Sequence, residues 1–232
     1  MVFHIASRGF GRRRLGSVSF AAVMLFVSAG VGQPSPAGEG AGQGAKADRL
    51  PNIVFIYIDD MGYADIGPFG AKGYATPNLD RLARAGLELG QHYVAPVCSP
   101  TRTGVMTGRR WRRFGVNTPQ NGLALPAGTI TVARALKSVG YDTCLTGKWH
   151  LGSLPEWGPN HYGFDHSYGS LAGGVSPWNH RYKQGPYTYT WHRNETLVDE
   201  PGHVTDLITA EAVKWIESRG TNPFFLYVPF TA

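Results

Sequence analysis

Asn52 to Ile58 (NIVFIYI) is a continuous apolar run, rich in β-branched and aromatic residues, that stops abruptly at Asp59-Asp60. Apolar residues at both odd and even positions predict a strand buried on two faces, as in a parallel sheet covered by helices. Tyr141 to Thr146 and Phe224 to Phe230 repeat the pattern, and Leu87 to Val94 reads as a further strand. Helical signals fall between these runs. Thr76-Pro77 reads as an N-cap followed by proline at the first helical position, with Leu79, Leu82 and Ala83 as the apolar stripe and Gly86 as the stop. A second helix is predicted to start at Cys98-Ser99-Pro100, and a third to run from a Thr129 cap through Val139 to Gly140. A fourth spans Thr205 to Ser218, where Leu207, Ile208, Ala212, Trp215 and Ile216 recur at helical spacing. Residues 153–195 carry much Gly, Pro, Trp, Tyr and His with little periodicity and read as a long surface excursion. Strands alternating with helices predict an α/β fold with a mostly parallel central sheet flanked by helices.

Bulk properties refine this picture at the N-terminus. Arg8, Arg12, Arg13 and Arg14 precede the apolar stretch Val18 to Ala29, and small residues follow. That order predicts an export signal over 1–32. A Gly-, Ala- and Pro-rich linker over 33–50 and a folded region over 51–232 come after it. The apolar stretch is shorter than the roughly 20 residues of a membrane span, so no stable membrane insertion is expected and an uncleaved anchor is the competing reading. The location expected is periplasmic or secreted. The formal net charge of +6 falls to +2 without those four arginines, which argues against nucleic acid as the partner. A basic cluster remains at Arg109, Arg110, Arg112 and Arg113, suited to an anionic substrate or to plain solvation. Of the two cysteines, Cys144 sits in an apolar stretch as a small buried hydrophobe, and a Cys98–Cys144 disulfide is not expected.

Three short segments carry chemistry. Asp59 and Asp60 end a strand, and Gly62 permits the bend that lets both carboxylates converge. Two hard oxygens at the carboxyl end of a sheet suit Ca²⁺ or Mg²⁺, although an isolated Asp pair there is more often a turn or a cap. In Cys98-Ser99-Pro100-Thr101-Arg102, proline in the first turn places Cys98 at a helix N-terminus, where N–H groups face anions. Arg102 is one turn on and leans back toward position 98. A reactive thiol or a buried structural cysteine would be the simpler readings of that cysteine. In Gly147-Lys148-Trp149-His150-Leu151-Gly152, an extended chain puts Lys148 and His150 on one face and Trp149 on the other. Lysine offers a point charge, and histidine a group that can move a proton.

In this order, with TPNLDRLARAG and GFDHSYG between and after them, the segments resemble the type I sulfatases, most closely the arylsulfatase B-like branch, from Pro51 onward. The resemblance implies an alkaline phosphatase/sulfatase-like fold and hydrolysis of sulfate esters. Cys98 would be oxidised to Cα-formylglycine by a separate maturation enzyme and act as the nucleophile. Asp59, Asp60 and position 98 would hold Ca²⁺ (or Mg²⁺), Arg102 would position the nucleophile, Lys148 would clamp the sulfate and His150 would move the proton. Substrates implied are sulfated carbohydrates or aryl sulfates, with Trp178, Asn179 and His180 offered as substrate contacts. The family's later sulfate-contacting histidine, Asp-Asn metal pair, second lysine and C-terminal subdomain have no counterparts in the 232 residues. The chain is therefore expected to be the N-terminal part of such an enzyme, without turnover by itself. Two other readings compete: a phosphonate or phosphodiester hydrolase of the same superfamily, and a non-catalytic secreted binding module. The remaining histidines, His92, His161, His166 and His192, read as structural or surface residues.

Overall fold

A computed structural model describes residues 2–3, 23–27 and 50–231. The expected linker over 33–50, except Leu50, and most of the expected export signal lie outside these residues. Among the described residues, eight strands form one sheet: β1 (Val2–Phe3), β2 (Val23–Val27), β3 (Ile53–Ile58), β4 (Asp142–Lys148), β5 (His166–Ser170), β6 (Trp191–Arg193), β7 (Thr196–Leu197) and β8 (Phe224–Pro229). Their spatial order is β1-β2-β3-β8-β4-β5-β6-β7. The central strands β3, β8, β4 and β5 are mutually parallel. Antiparallel partners flank them, β2 beside β3 and the β6–β7 hairpin beside β5. Four α-helices among the described residues accompany the sheet: α1 (Pro77–Ala85), α2 (Cys98–Thr107), α3 (Val132–Lys137) and α4 (Val204–Glu217). Among the described residues, no helix is long and apolar enough to cross a membrane.

Strand alternation explains why the apolar runs are continuous. Phe55, Tyr57, Phe225 and Tyr227 face one side and pack with Met106 of α2 and Ala133 of α3. Phe224, Leu226 and Val228 face the other side and pack with Ile208, Ala212 and Trp215 of α4, with Val54 and Ile56 at the margin. Each strand is thus apolar on both faces because helices cover both. Cys144 lies fully buried in the second cluster, and both cysteines are free thiols. Leu79, Leu82 and Ala83 of α1 pack on Ile66, as their spacing predicts.

Several local expectations change. Leu87 to Val94 forms no strand. Leu87 and Tyr93 stay largely exposed there, so the alternation has no apolar surface to bury against. Thr131, not Thr129, caps α3, with its hydroxyl accepting from Arg134 N–H at 3.1 Å. The Thr129 hydroxyl is taken by the preceding turn, donating to the Pro126 carbonyl at 2.7 Å. Thr76 holds the N-cap position of α1, yet its hydroxyl accepts from Gly67 N–H (2.7 Å) and donates to Asp80 (2.9 Å) rather than capping the helix backbone. The segment 153–195 is not a surface excursion. It contributes β5 and β6 and buries Tyr162, Phe164, Tyr168, Leu171 and Trp191. β5 escapes pattern reading because it is built from small and polar residues (HSYGS) satisfied by hydrogen bonds, such as Ser167 to Asn160 at 2.6 Å.

Two glycines let the parallel strands close up at their carboxyl ends. Gly147 pairs with Gly169 across β4 and β5, with φ of 139° and 126°. A Cβ on Gly147 would sit 1.9 Å from the Pro229 carbonyl oxygen, and one on Gly169 would sit 2.2 Å from that of Gly147. Gly147→Ala should cost about 3 kcal/mol or more, because backbone must move as well as φ. Gly185→Ala, at φ 128° but facing open space, should cost about 1–2 kcal/mol. Urea denaturation of both variants checks the difference, and equal losses would contradict the close approach.

Candidate active site

The parallel strands end together, and their carboxyl ends carry the chemistry. Phe55, Tyr57 and Asp59 follow one another at the period of two, so Asp59 emerges on the face that α2 covers. From α2, Arg102 donates to Asp59 Oδ1 at 3.0 Å. From the end of β4, Lys148 Nζ donates to Asp59 Oδ2. The second fork of Arg102 reaches the Lys148 carbonyl, and its guanidinium lies 4.8 Å over the Tyr57 ring. Side chains of all three charged residues are 4% exposed or less. Burial would raise the Asp59 pKa, but Arg102 and Lys148 outweigh it and hold the carboxyl below its ordinary value. Burial likewise opposes the charge on Arg102, yet Tyr227, Asp59 and Tyr57 raise its pKa above the usual guanidinium range.

Cys98 is the first residue of α2, preceded by Val97 in extended conformation, as proline at the third position allows. It lines a cavity with Tyr57, Asp59, Asp60 and the 94–97 segment. Thr101 fixes that segment by donating to the carbonyls of Ala95 (2.9 Å) and Val97 (3.0 Å). Ser99 clips the helix to the β4 end, donating to the His150 carbonyl at 3.0 Å and accepting from Gln120 N–H at 2.9 Å.

Past Lys148 the extended geometry stops, a departure from the expectation for this segment. Trp149 still turns into the core beside Tyr162 and Phe164, and its indole donates to the Trp157 carbonyl at 2.9 Å. His150 then adopts φ 56°. Its ring is buried, and neither nitrogen has a partner among the described residues. Burial, reinforced by the charges of Lys148 and Arg102 and only partly offset by Asp59, pushes its pKa down to about 3. The imidazole is neutral near pH 7, with both nitrogens open to a hydrogen-bond partner in the site.

Asp59, Asp60, Cys98, Arg102, Lys148 and His150 therefore gather at one edge of the sheet. Trp178, Asn179 and His180 are not among the residues lining the Cys98 cavity. Trp178 is exposed against His203, while His180 is buried on Trp191 and hydrogen-bonds the Gly202 carbonyl at 2.9 Å. Tyr57 and Ser99 are site residues that motif reading missed. Tyr57 was legible from its period-two relation to Asp59; the role of Ser99 depends on a partner 51 positions away.

The donor set fits a hard divalent cation in kind. Two carboxylates line the cavity beside position 98. Among the described residues, no three His, Cys, Asp or Glu side chains converge to hold a metal unaided. Ca²⁺ takes 6–8 oxygens, so these residues supply one side of its shell.

Comparison with known proteins places the chain in a family. A family model described as Sulfatase matches residues 51–232. The chain is 31% identical over 209 residues to an arylsulfatase of Klebsiella aerogenes, covering 83% of this chain and 45% of that one. It is 34% identical over 206 residues to N-acetylgalactosamine-6-sulfatase of Mus musculus, covering 79% and 40%. A solved structure of Ps i-CgsB in complex with k-i-k-neocarrahexaose superposes with a TM-score of 0.68 at 32% identity, covering 77% of this chain and 44% of that one. The chain thus spans less than half the length of these relatives.

Asp59→Ala should destabilise the protein by about 3–5 kcal/mol, because it leaves two buried cations without their carboxylate. Asp60→Ala, at an exposed position, should stay within about 0.5 kcal/mol. Since the folded-state carboxyl of Asp59 is depressed, its contribution is complete above the ordinary value of 3.8 and is lost as pH falls through the lower folded value. Denaturant titrations of wild type and Asp59→Ala should therefore converge in acid, and a gap that widens there would contradict the ion triad.

Proposed function

The chain belongs to the sulfatase family, and from that premise we propose that the whole protein hydrolyses sulfate esters at position 98. The observation that carries this reading is the grouping of Cys98, at the head of α2, with a doubly clamped Asp59 and a neutral, unpartnered His150 at the ends of parallel strands. Converted to Cα-formylglycine by a maturation enzyme, position 98 would supply a hydrated aldehyde, with one hydroxyl to attack sulfur and a second whose deprotonation expels sulfate. Asp59 and Asp60, with position 98, would hold Ca²⁺ or Mg²⁺, which would draw charge from the sulfate oxygens.

The residues of this chain do the rest. Arg102 and Lys148 bring two positive charges to Asp59, balancing the Asp59 and Asp60 carboxylates, so that the bound Ca²⁺ or Mg²⁺ would make the site net positive for a sulfuryl group. Arg102 is held on three sides, by Asp59, the Lys148 carbonyl and the Tyr57 ring, so it positions the head of α2 without needing to reorganise. Lys148, on its flexible stem, is the cation suited to follow the sulfate oxygens. His150 accepts the proton whose removal releases product. In the same reading, exposed Trp178 and Asn179 form a sugar-facing rim, and buried His180 braces them through Gly202 and Trp191. Sulfated carbohydrates are the substrate class favoured by the relatives, one an N-acetylgalactosamine-6-sulfatase and another solved with k-i-k-neocarrahexaose. The Arg-rich start and apolar stretch up to Ala29 support export to the periplasm or beyond.

Intact-mass analysis of the full-length protein should find the peptide holding Cys98 about 18 Da lighter than its thiol form, the difference between thiol and aldehyde. Cys98→Ala should fold normally and lose all turnover of an aryl sulfate; activity in that variant would rule out the nucleophile. Lys148→Ala should lower kcat by about 10²–10³-fold, the usual cost of one charge-stabilising contact in the transition state.

A further inference from the structure

No Asp or Glu occurs between Glu88 and Asp142, a stretch holding seven Lys and Arg residues. Three of the seven have partners: Arg102 pairs with Asp59, Lys137 with Asp165, and Arg134 donates to the His161 carbonyl at 2.6 Å. The other four, Arg109, Arg110, Arg112 and Arg113, are all exposed. Their guanidinium groups make no hydrogen bond or ion pair among the described residues.

Local geometry explains why they point outward together. After α2 the chain turns at Gly108 (φ 64°) into a short 3₁₀ helix, Trp111–Phe114. In such a helix, residues three apart eclipse. Trp111 and Phe114 both pack against the core cluster beneath α2 and α3. The arginines between and before them are thereby driven to the solvent side. The nearby backbone carbonyls do not need them. Gly108 N–H satisfies Gly104, the Thr107 hydroxyl satisfies Thr103, and Gly115 N–H satisfies Arg112. Four cations on five consecutive residues, with no anion beside them in sequence and no structural task, create a concentrated positive surface.

We propose that the Arg109–Arg113 face is a docking surface for a sulfated polysaccharide strand. This rests on the sulfate-ester reading above for the chemical class of the polyanion. The ten residues of α2 separate this face from Cys98 by about 15 Å, so a single sulfated sugar in the cavity cannot touch it, whereas a polymer can span both. Guanidinium forks offer paired N–H donors to the oxygens of a sulfate group. Nucleic acid is the poorer fit: Trp111, the one aromatic ring among the arginines, faces the core and gives bases no stacking platform.

The test uses the full-length protein with dextran sulfate, unsulfated dextran and single-stranded DNA as probes. Dextran sulfate binding should fall about 50-fold between 50 and 200 mM salt, the loss expected for four neutralised anionic groups at a slope of about 0.7 each. The triple variant Arg110→Gln/Arg112→Gln/Arg113→Gln should lose most of that binding, and its salt slope should shrink by about 2. Its KM for a sulfated polysaccharide should rise about tenfold or more with kcat unchanged, while kcat/KM for a small aryl sulfate stays at the wild-type value. Unchanged dextran sulfate binding in the variant would overturn the proposal. So would equal binding of unsulfated dextran, or binding of single-stranded DNA as tight as that of dextran sulfate. If neither ester is hydrolysed but polymer binding still depends on the three arginines, the docking surface stands and the hydrolase reading falls.

Discussion

One buried carboxylate joins the three elements that matter most. Asp59 directly follows β3, Arg102 comes from the middle of α2, and Lys148 ends β4; their charged groups meet where almost no water reaches. A lone buried charge would be prohibitive, and a single pair only breaks even against its desolvation. Two cations around one anion change the balance: Asp59 stays ionised, with Arg102 and Lys148 lying behind the carboxylates that line the cavity. Breaking it would loosen strand, helix and strand at once.

The sheet delivers this meeting. In a parallel sheet all strands present their carboxyl ends on one edge, and side chains from strands distant in sequence collect there. β3 and β4 are not paired with each other; β8 lies between them and pairs with both. The gap closes at the tip because Gly147 has no side chain to hold Pro229 away. α2 then covers that edge with half-buried Cys98 at its head and Arg102 buried below, and Ser99 ties the head to the backbone of His150.

The buried histidines show how environment separates structural groups from chemical ones. His192 is fully buried and pushed down to about 4, chiefly by desolvation, but its nitrogens meet the Gly169 carbonyl at 2.7 Å and Ser167 at 3.1 Å. It is a brace between β5 and β6. His150 is as deeply buried and likewise kept neutral, yet both of its nitrogens lack partners among the described residues. A buried polar group without a hydrogen bond is destabilising, and proteins retain such groups where something else supplies the partner. Burial and a lowered pKa are common to the two rings; the unused nitrogens set His150 apart.

Residue order alone determined three central strand runs, all four helix starts to within two residues, the burial of Cys144 and the cluster of motifs that carries the family likeness. Those are local matters: two-faced apolar runs, a proline in a first helical turn, a glycine where a bend is needed. Sequence did not determine the fate of residues 153–195, because a strand of Ser, Gly and His is stabilised by partners rather than by its own pattern. Nor did it place a strand correctly at Leu87 to Val94, where alternation had no surface to bury against, or choose between Thr129 and Thr131 as a cap. Above all it could not say that Asp59 would be clamped from residues 43 and 89 positions away, or that His150 would leave its rings' nitrogens unpaired. Those facts belong to the tertiary structure, since charge pairing and desolvation depend on distances through space that spacing along the chain does not encode.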